Sequence, residues 1–567
     1  MKQTLVFLTV LFICFYSGFA RSQTAEEYFN NGIGKTNSGD YKDAVTDFNK
    51  AIELKPDYME AYFNRGIAKD NLHHYHGSIA DYNKVIELKP DYAEAYNNRG
   101  VAKDNLQDYQ GALKDINKAI QLNPKYAEAF NNRGVIKDYF NDFDGAISDY
   151  NNAIDLKPDY GEAYNNRGVA KINSQDYAGA ILDCTKSIEL KPDYAEAYNN
   201  RALAKDYSGD KNGALKDYGK AIDLKPDYAE AYNNRGLTKD DLLDLQGAIA
   251  DYTKAIELKP DYAEAYNNRG LSKDDLKDYL EAMDDFNTAI ELNRKYAEAY
   301  NNRGLTKVNL QLYQDAISDF SMAIDLKKYY AEAYNNRGLT KQNIQDFKGS
   351  ISDCNKAISL KPDYAEAYNN RGLAKNNLKD YDGALSDFNK AIELNPDYTY
   401  AYLNRGNSKF DSKNYNDAIA DYKKAIELKS DFADAYYNYG AANFILQNYD
   451  DAIANFNKAI ELRPDYEEAF DYLGDCYYEK KNFDSAIINY NNCIKINDKN
   501  WDALLGMSMT YYEKNDVEKS KSYFKKAEVL EPRLKDGLDG IGKLEKEGFY
   551  YSDYDKQVLS KLYKDIK

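Results

Sequence analysis

Apolar and small residues recur along the chain in a pattern that predicts pairs of helices. In residues 93–126, small and aromatic side chains mark one face of a first helix, at Ala93, Tyr96, Gly100 and Ala102. A second stripe, with the i, i+4, i+7, i+8 spacing of an amphipathic helix, follows at Ala112, Ile116, Ala119, Ile120 and Leu122. Pro124 ends the second helix, because proline has no N–H to donate and disfavours helical geometry in the residue before it. The segment therefore predicts a helix hairpin.

The same hairpin pattern returns every 34 residues. All 11 prolines are separated by multiples of 34, and a glycine series from Gly32 to Gly474 keeps the same period. Complete units follow one another without an insertion and start at residues 25, 59, 93, 127, 161, 195, 229, 263, 297, 331, 365, 399, 433, 467 and 501. A fixed period in this range predicts an all-α solenoid, in which each unit packs on its neighbours. We expect one array of about fifteen hairpins over residues 23–534 and a C-terminal cap over residues 535–567.

The N-terminus has the features of a secretory signal peptide over residues 1–22. Lys2 precedes an apolar run at residues 5–16, and the small residues Gly18 and Ala20 then provide a cleavage site. The alternative is an uncleaved membrane anchor, although the run is shorter than the ~20 apolar residues that span a bilayer. We expect an exported protein, located in the periplasm, in the cell envelope or outside the cell, with no membrane span in the mature chain.

Charge and cysteine content exclude two classes of protein. The formal net charge of −18 argues against a nucleic-acid partner, because phosphate binding needs clustered lysine and arginine. Five cysteines in 567 residues do not make a disulfide scaffold. Cys184 and Cys354 occupy the same unit position and are expected in the core. Cys476 and Cys493 lie on the two helices of one unit, where a disulfide and two free thiols both remain open.

The repeated residues resemble the tetratricopeptide repeat (TPR) family. In the unit that starts at residue 93, the family pattern is matched by Tyr96 at position 4, Gly100 at 8, Ala112 at 20, Ala119 at 27 and Pro124 at 32. All fifteen units carry the pattern. The resemblance implies hairpins that stack into a right-handed superhelix, with the first helices lining an inner groove and the second helices forming the outer wall.

Charged residues depart from the family pattern in a regular way. Position 7 is Arg from Arg65 through Arg405, and position 11 is Lys from Lys35 through Lys409, where the family usually has Leu and Tyr. Position 23 is Asp in the same units. Because a buried or half-buried cation needs a partner, we predict structural ion pairs between positions 7 and 23; ligand binding by the arginines is the alternative. Examples are Arg99 with Asp115, Arg133 with Asp149 and Arg235 with Asp251.

Asparagine at position 6 is the main candidate for partner binding. The resemblance implies that this position faces the groove, and TPR arrays of the asparagine-ladder kind use it to hold the main chain of an extended peptide. An amide side chain offers two donors and one acceptor group, so a regular row can pair with a main chain of any sequence. The alternative is that Asn recurs only because the whole unit was duplicated. The candidate ladder residues are Asn98, Asn132, Asn166, Asn200, Asn234, Asn268, Asn302, Asn336, Asn370 and Asn404.

The other expected groove positions are polar or acidic. Position 2 is usually Glu, as in Glu94, and position 12 is often Asp, as in Asp104. An acidic groove favours a neutral or basic partner. The three histidines of the chain, His73, His74 and His76, fall at one turn, and we expect no catalytic residues, metal site or cofactor.

These observations predict a non-enzymatic, exported scaffold that holds an extended peptide or a partner protein in its groove. Two alternatives are open. The array could be a passive spacer in a cell-envelope assembly, or the regulatory arm of an enzyme complex.

Overall fold

The computed structural model describes residues 23–547 and 549–566. Within these residues the chain folds into α-helices, one short 3-10 helix and turns, with no strand. The predicted all-α solenoid of fifteen hairpins with a C-terminal segment is confirmed. The signal peptide predicted for residues 1–22 lies outside the described residues.

Each hairpin pairs a shorter first helix with a second helix that is one residue longer, 13 and 14 residues in the unit at 93. The first helices are α1 (Ala25–Asn37), α3 (Met59–Asn71), α5 (Ala93–Asn105), α7 (Ala127–Tyr139), α9 (Gly161–Asn173), α11 (Ala195–Tyr207), α13 (Ala229–Asp241), α15 (Ala263–Asp275), α17 (Ala297–Asn309), α19 (Ala331–Asn343), α21 (Ala365–Asn377), α23 (Thr399–Asp411), α25 (Ala433–Ile445), α27 (Glu467–Glu479) and α29 (Trp501–Glu513). The second helices are α2 (Tyr41–Leu54), α4 (Tyr75–Leu88), α6 (Tyr109–Leu122), α8 (Phe143–Leu156), α10 (Tyr177–Leu190), α12 (Lys211–Leu224), α14 (Leu245–Leu258), α16 (Tyr279–Leu292), α18 (Tyr313–Leu326), α20 (Phe347–Leu360), α22 (Tyr381–Leu394), α24 (Tyr415–Leu428), α26 (Tyr449–Leu462), α28 (Phe483–Ile496) and α30 (Val517–Leu530). The C-terminal segment contains a 3-10 helix (Pro532–Asp536), α31 (Leu538–Lys546) and α32 (Asp553–Ile566).

The described part of the chain divides into two compact units, one up to Lys277 and one from Asp278 onward. Within each unit, a second helix packs on its own first helix and on the first helix of the next hairpin. First helices of consecutive hairpins also contact each other, as α9 contacts α11 in one unit and α19 contacts α21 in the other. The first helices thus form one surface in each compact unit, which we call the inner face.

A tight turn joins the two helices of a hairpin. In the unit at 93, α5 ends at Asn105, and Gln107 then adopts the left-handed region with φ of 63°. Asp108 caps α6 by accepting a hydrogen bond from the Gly111 N–H at 3.0 Å. The left-handed conformation costs a non-glycine residue roughly 1–2 kcal/mol, so the packing of the two helices must hold this turn in place.

Glycine at position 8 lets the two helices of a hairpin approach closely. A Cβ atom built on Gly134 would lie 2.6 Å from the ring of Tyr150, which is fully buried on α8. The alanines at positions 20 and 27 of the same unit, Ala146 and Ala153, are also fully buried. Larger side chains at these positions would separate the helices, because protein cores are close-packed.

A charged cluster connects the two helices of a hairpin and also the preceding hairpin. Arg99 donates from Nε and Nη2 to the two carboxylate oxygens of Asp115, at 2.8 and 2.5 Å. Lys103 contacts the same carboxylate at 2.7 Å. The Nη1 of Arg99 donates to Asn83 of the preceding unit at 2.6 Å, and the guanidinium lies over the ring of Tyr96. Since the Asp115 side chain is only 5% exposed, its charge is compensated almost entirely by this cluster.

The same cluster recurs in both compact units, but the residue of the preceding hairpin that accepts a hydrogen bond from the arginine differs from unit to unit. In the first unit, Arg201 pairs with Asp217 and reaches Thr185; in the second, Arg337 reaches Ser321. The other ion pairs predicted from the sequence have the same geometry, with Arg133 at 2.5 Å from Asp149 and Arg235 at 2.6 Å from Asp251.

We expect that the variant Arg133→Met destabilises its hairpin by about 3–5 kcal/mol, because the buried carboxylate of Asp149 loses its bidentate partner. Hydrogen–deuterium exchange of the α7 and α8 amides measures the stability of this one hairpin. A melting curve reports on the whole repeat array and does not resolve a single hairpin. The double variant Arg133→Met/Asp149→Leu should recover much of the loss. As a control, Lys157→Met breaks the exposed pair with Glu128 and should change protection by less than about 1 kcal/mol. Equal effects of the two single variants would contradict this role of Arg133.

Candidate functional site

The inner face of the first compact unit contains a cavity of about 370 Å³. Its walls come from first helices and from the tyrosines that precede them, and they include Asp70, Asn98, Val101, Asn132 and Tyr160. By repeat register, these residues occupy unit positions 12, 6, 9, 6 and 34. The cavity therefore shows that unit positions 6, 9, 12 and 34 contribute to the inner face.

The ladder asparagines form hydrogen bonds with a second, buried row of asparagines. Asn132 donates from Nδ2 to Oδ1 of Asn97 in the preceding unit at 3.0 Å. Asn97 in turn donates to Oδ1 of Asn98, its neighbour in sequence, at 3.2 Å. Asn97 is only 4% exposed. Side-chain amides at positions 5 and 6 thus connect one hairpin to the next.

This bonding repeats along each compact unit. In the first unit, the ladder residue donates to position 5 of the preceding hairpin in the pairs Asn166–Asn131, Asn200–Asn165, Asn234–Asn199 and Asn268–Asn233, at 3.0–3.3 Å. In the second unit, the pairs are Asn336–Asn301, Asn370–Asn335 and Asn404–Asn369, at 2.9–3.1 Å. Asn302 accepts from Asn301 at 3.4 Å. The ladder is therefore part of the contact between hairpins, a role that the sequence analysis did not assign to it.

The amides keep capacity for a partner. The Nδ2 of Asn132 has two hydrogens and uses one for Asn97, while its Oδ1 accepts one bond, from Asn131 at 3.5 Å. One N–H and one lone pair remain at such a rung. Most ladder side chains are half-buried and remain accessible, whereas Asn370 is buried.

Several position-2 glutamates are paired with a lysine of their own unit. Glu128 contacts Lys157 at 3.1 Å, and Glu298 contacts Lys327 at 2.8 Å. Burial alone would raise the pKa of Glu298, but the hydrogen bond from Lys327 lowers it below the usual value. Such a pair reduces the contribution of its glutamate to the acidity of the inner face.

The position-12 aspartates are shielded from solvent in a different way. Asp70 accepts a hydrogen bond from the hydroxyl of Tyr82 at 2.6 Å, and Asp240 accepts one from Ser272 at 2.8 Å. Burial raises the pKa of Asp70, Asp104 and Asp240 above the usual value. Burial therefore disfavours their charged form, and this too moderates the acidity of the inner face.

The C-terminal segment covers part of the inner face of the second compact unit. The ring of Tyr550 packs on Phe444 of α25, and Phe549 packs on Trp501 of α29 at 4.9 Å. The hydroxyl of Tyr551 donates to Asp502 at 3.3 Å. The expected cap thus does more than close the array, because residues 549–551 occupy the surface that the ladder uses in earlier hairpins.

An acidic pocket lies beneath this segment. It consists of two adjoining cavities, one of about 30 Å³ and one of about 470 Å³. Four of its carboxyl groups have neutral donors as hydrogen-bond partners, in the pairs Asp471–Asn500, Asp475–Tyr490, Asp502–Tyr551 and Asp555–Ser552 N–H. The other titratable groups around them include Glu467, Glu479, Tyr478 and Lys499.

Burial dominates the titration of this pocket. It raises the pKa of Asp502 to about 6 and that of Asp555 to about 7. The pKa values of Asp471 and Asp475 are also raised well above the usual value, by burial and then by the charge of a neighbouring aspartate. The sequence analysis missed the pocket, because its acids come from three helices that only the fold brings together.

Several other observations bear on chemistry. Within residues 23–547 and 549–566, no three His, Cys, Asp or Glu side chains converge on a metal-sized site, and no helix is long and apolar enough to cross a membrane. His73 contacts the hydroxyl of Tyr75 at 2.8 Å. Cys476 and Cys493 are buried free thiols, and Cys184 and Cys354 are buried in the core.

Comparison with protein families finds tetratricopeptide repeats along most of the chain. Models described as "Tetratricopeptide repeat" match residues 93–126, 161–194, 263–296, 331–364, 365–398, 431–499 and 502–533. A model described as "TPR repeat" matches residues 36–70, 74–104, 141–174, 207–239, 244–273 and 406–447. A search of curated protein sequences gives no match.

Several solved structures resemble the chain. The Cut9–Hcn1 hetero-tetramer of APC/C is 15% identical, covers 80% of this chain and 97% of that chain, and has a TM-score of 0.47. Yeast Tom70 is 19% identical, covers 75% and 96%, and has a TM-score of 0.35. YrrB, described as a TPR protein with an unusual peptide-binding site, is 26% identical, covers 32% and 95%, and has a TM-score of 0.28.

The acidic pocket predicts a stability that falls as pH rises. Carboxyl groups with pKa values of about 6 and about 7, against 3.8 for free aspartate, bind more protons in the folded chain than in the unfolded chain over this interval. Their ionisation therefore favours unfolding. We expect the free energy of unfolding around α27–α32 to fall by several kcal/mol from about pH 4 to about pH 8 and then to level off, because each tenfold difference in proton affinity between the folded and the unfolded chain corresponds to about 1.4 kcal/mol.

Fluorescence of Trp501 in urea measures this locally, because it is the one tryptophan of the chain and it lines the pocket. The variant Asp502→Asn/Asp555→Asn should show a flatter pH dependence. An unchanged slope in this variant would contradict the assignment.

Proposed function

Because the chain belongs to the tetratricopeptide repeat family, we propose that it is a protein-interaction scaffold that holds an extended peptide, or an extended segment of a partner protein, on its inner face. The proposal assigns no reaction to the chain. The observation that carries it is the remaining hydrogen-bonding capacity of the asparagine ladder, one N–H and one lone pair at a rung such as Asn132. A peptide main chain offers the complementary donors and acceptors at regular intervals.

Apolar residues beside the ladder support this function. Position 9 lies one helical turn after position 6, and Val101 at this position lines the inner-face cavity together with Asn98. The equivalent Val135, Leu237 and Leu339 are 40–42% exposed. Such a row can bury the apolar side chains of a bound segment, while the amides hold its main chain.

The electrostatics of the inner face favour a neutral or weakly basic partner. Lysines pair with several position-2 glutamates, and burial raises the pKa of position-12 aspartates such as Asp104. A strongly acidic peptide would still meet a chain of net charge −18. Neutral segments with apolar side chains fit the described surface best.

We also propose that the protein is exported. The support is the sequence of residues 1–22, where a basic start, a short apolar run and small residues precede the array. Location in the periplasm, in the cell envelope or outside the cell is consistent with this signal.

Substitution of the ladder tests the proposed binding. We expect the triple variant Asn98→Ala/Asn132→Ala/Asn166→Ala to lose at least about tenfold in affinity for a partner isolated with the exported full-length protein, since each rung contributes about 0.5–1 kcal/mol of net hydrogen bonding. N-methylation of the partner segment's main chain should have the same effect. The control Asn152→Ala removes an exposed amide that bonds only to its own helix and should leave the affinity unchanged.

Circular dichroism of the triple variant separates loss of binding from loss of folding, because the ladder also bonds hairpin to hairpin. Unchanged capture by a folded triple variant would rule out the ladder as the binding surface and would favour a passive spacer.

Export predicts a processed N-terminus. We expect the mature chain to begin after Ala20 and to be found outside the cytoplasm, because the apolar run is recognised by the export machinery and the small residues by a signal peptidase. Intact-mass measurement of the protein from fractionated cells checks this prediction. A cytoplasmic chain that retains residues 1–20 would refute it, and an uncleaved chain in the membrane fraction would indicate the anchor instead.

A further inference from the structure

We propose that the acidic pocket binds a primary alkylammonium group, carried either by a lysine side chain of a polypeptide or by a free alkylamine. The pocket lies among α25, α27, α29 and the C-terminal segment of the second compact unit. It does not depend on the ladder, so this inference stands or falls separately from the proposed peptide binding.

The two cavities of the pocket match the two parts of such a ligand. The smaller cavity, of about 30 Å³, is lined by Asp475, Glu479, Asp502 and Asp555. This exceeds the ~10–15 Å³ that a cavity needs to hold one water molecule, and an ammonium head is of similar size to water. The larger cavity, of about 470 Å³, adjoins it and shares Asp475 and Asp502. It gives an alkyl stem, or the polypeptide that carries it, a way in from solvent.

The four aspartates of the pocket, Asp471, Asp475, Asp502 and Asp555, form no ion pair with any described residue, whereas Glu547 at the larger cavity pairs with Arg533. Asp475 and Asp502 each accept one hydrogen bond from a tyrosine hydroxyl, and Asp555 accepts from the main-chain N–H of Ser552. Lys499 is the one basic residue among those that line the two cavities. An ammonium group would replace mutual repulsion of the carboxylates by charge-assisted hydrogen bonds.

A buried hydroxyl provides a separate indication of a missing ligand. Tyr478 lines the smaller cavity and is 2% exposed, and its hydroxyl has no hydrogen-bond partner among the described residues. A buried polar atom without a partner is costly and uncommon. The hydroxyl oxygen of Tyr478 can accept one N–H of the ammonium, and Asp475 and Asp502 can accept the others.

Aromatic side chains form the walls of the larger cavity. Tyr472, Trp501, Phe549 and Tyr550 line it, and the rings of Trp501 and Phe549 are 4.9 Å apart. Aromatic faces pack well on methylene groups and attract cations. This environment favours an alkylammonium over an inorganic cation, and the carboxyl side chains do not converge as metal ligands in the described residues.

Trp501 fluorescence of the full-length protein tests the proposal. The probes are cadaverine and a capped glycine peptide with one lysine, and a matched peptide with norleucine is the negative control. We expect a saturable change with at least one amine probe and none with norleucine. A response to both amines would show that the pocket accepts an alkylammonium group from either source. A response to the peptide alone would show that the ligand is a lysine of a polypeptide. A response to cadaverine alone would show that the ligand is a free amine.

Variants distinguish binding in the pocket from a general effect of the negative charge of the protein. We expect Asp475→Asn/Asp502→Asn to weaken binding at least tenfold while the chain stays folded, because uncharged side chains suit this buried site. Tyr478→Phe should weaken it by a smaller factor. The control Asp450→Asn removes an exposed carboxylate that pairs with Lys480 and should have no effect. No binding of either amine at about 1 mM, or equal binding by the double variant and the unmodified chain, would overturn the proposal.

Discussion

The buried aspartate at position 23 is the constraint on which most of the hairpins depend. Asp115 lies almost entirely out of solvent, and Arg99 and Lys103 compensate its charge from the facing helix. Because Arg99 also reaches Asn83, the same compensation connects one hairpin to the one before it. A buried carboxylate that loses its partners is strongly destabilising. Residues of two neighbouring hairpins are therefore needed to compensate one buried charge, so the stabilities of these hairpins are coupled.

The inner face uses a second polar connection for a different purpose. Asn97 is buried and fixes the orientation of Asn98 and Asn132, so the ladder amides are held by the protein before any partner arrives. Preorganised groups lose less entropy on binding than mobile ones. In the last hairpins the asparagine doublet disappears, and the C-terminal segment lies on the inner face instead. In the second compact unit, the inner face thus has an open polar part and a covered part with aromatic and acidic residues.

Much of this organisation was predictable from the sequence, because a period of 34 residues fixes the fold class and aligns equivalent positions. The correlated occurrence of Arg and Asp led to pairs such as Arg99–Asp115, which have a bidentate geometry in the structure. The role of Asn97 was not predicted, although the Asn-Asn doublet was a visible signal, because periodicity does not show which of two adjacent amides is buried. The pairing of Glu128 with Lys157 joins the two ends of one unit, and only helix packing reveals such a contact. The acidic pocket depends on residues 549–551, which pack on α25 and α29 in a part of the chain where the repeat pattern no longer guides prediction.

The rungs of the asparagine ladder are nearly identical, and this has a consequence for anything that binds along them. An extended chain held through its main chain meets the same set of donors and acceptors after each step of one hairpin. Binding then has no single preferred register, and several offset arrangements have similar free energy. A bound segment could shift along a compact unit by exchanging one rung for the next, without complete release. Such a surface retains a moving chain rather than fixing one residue at one place.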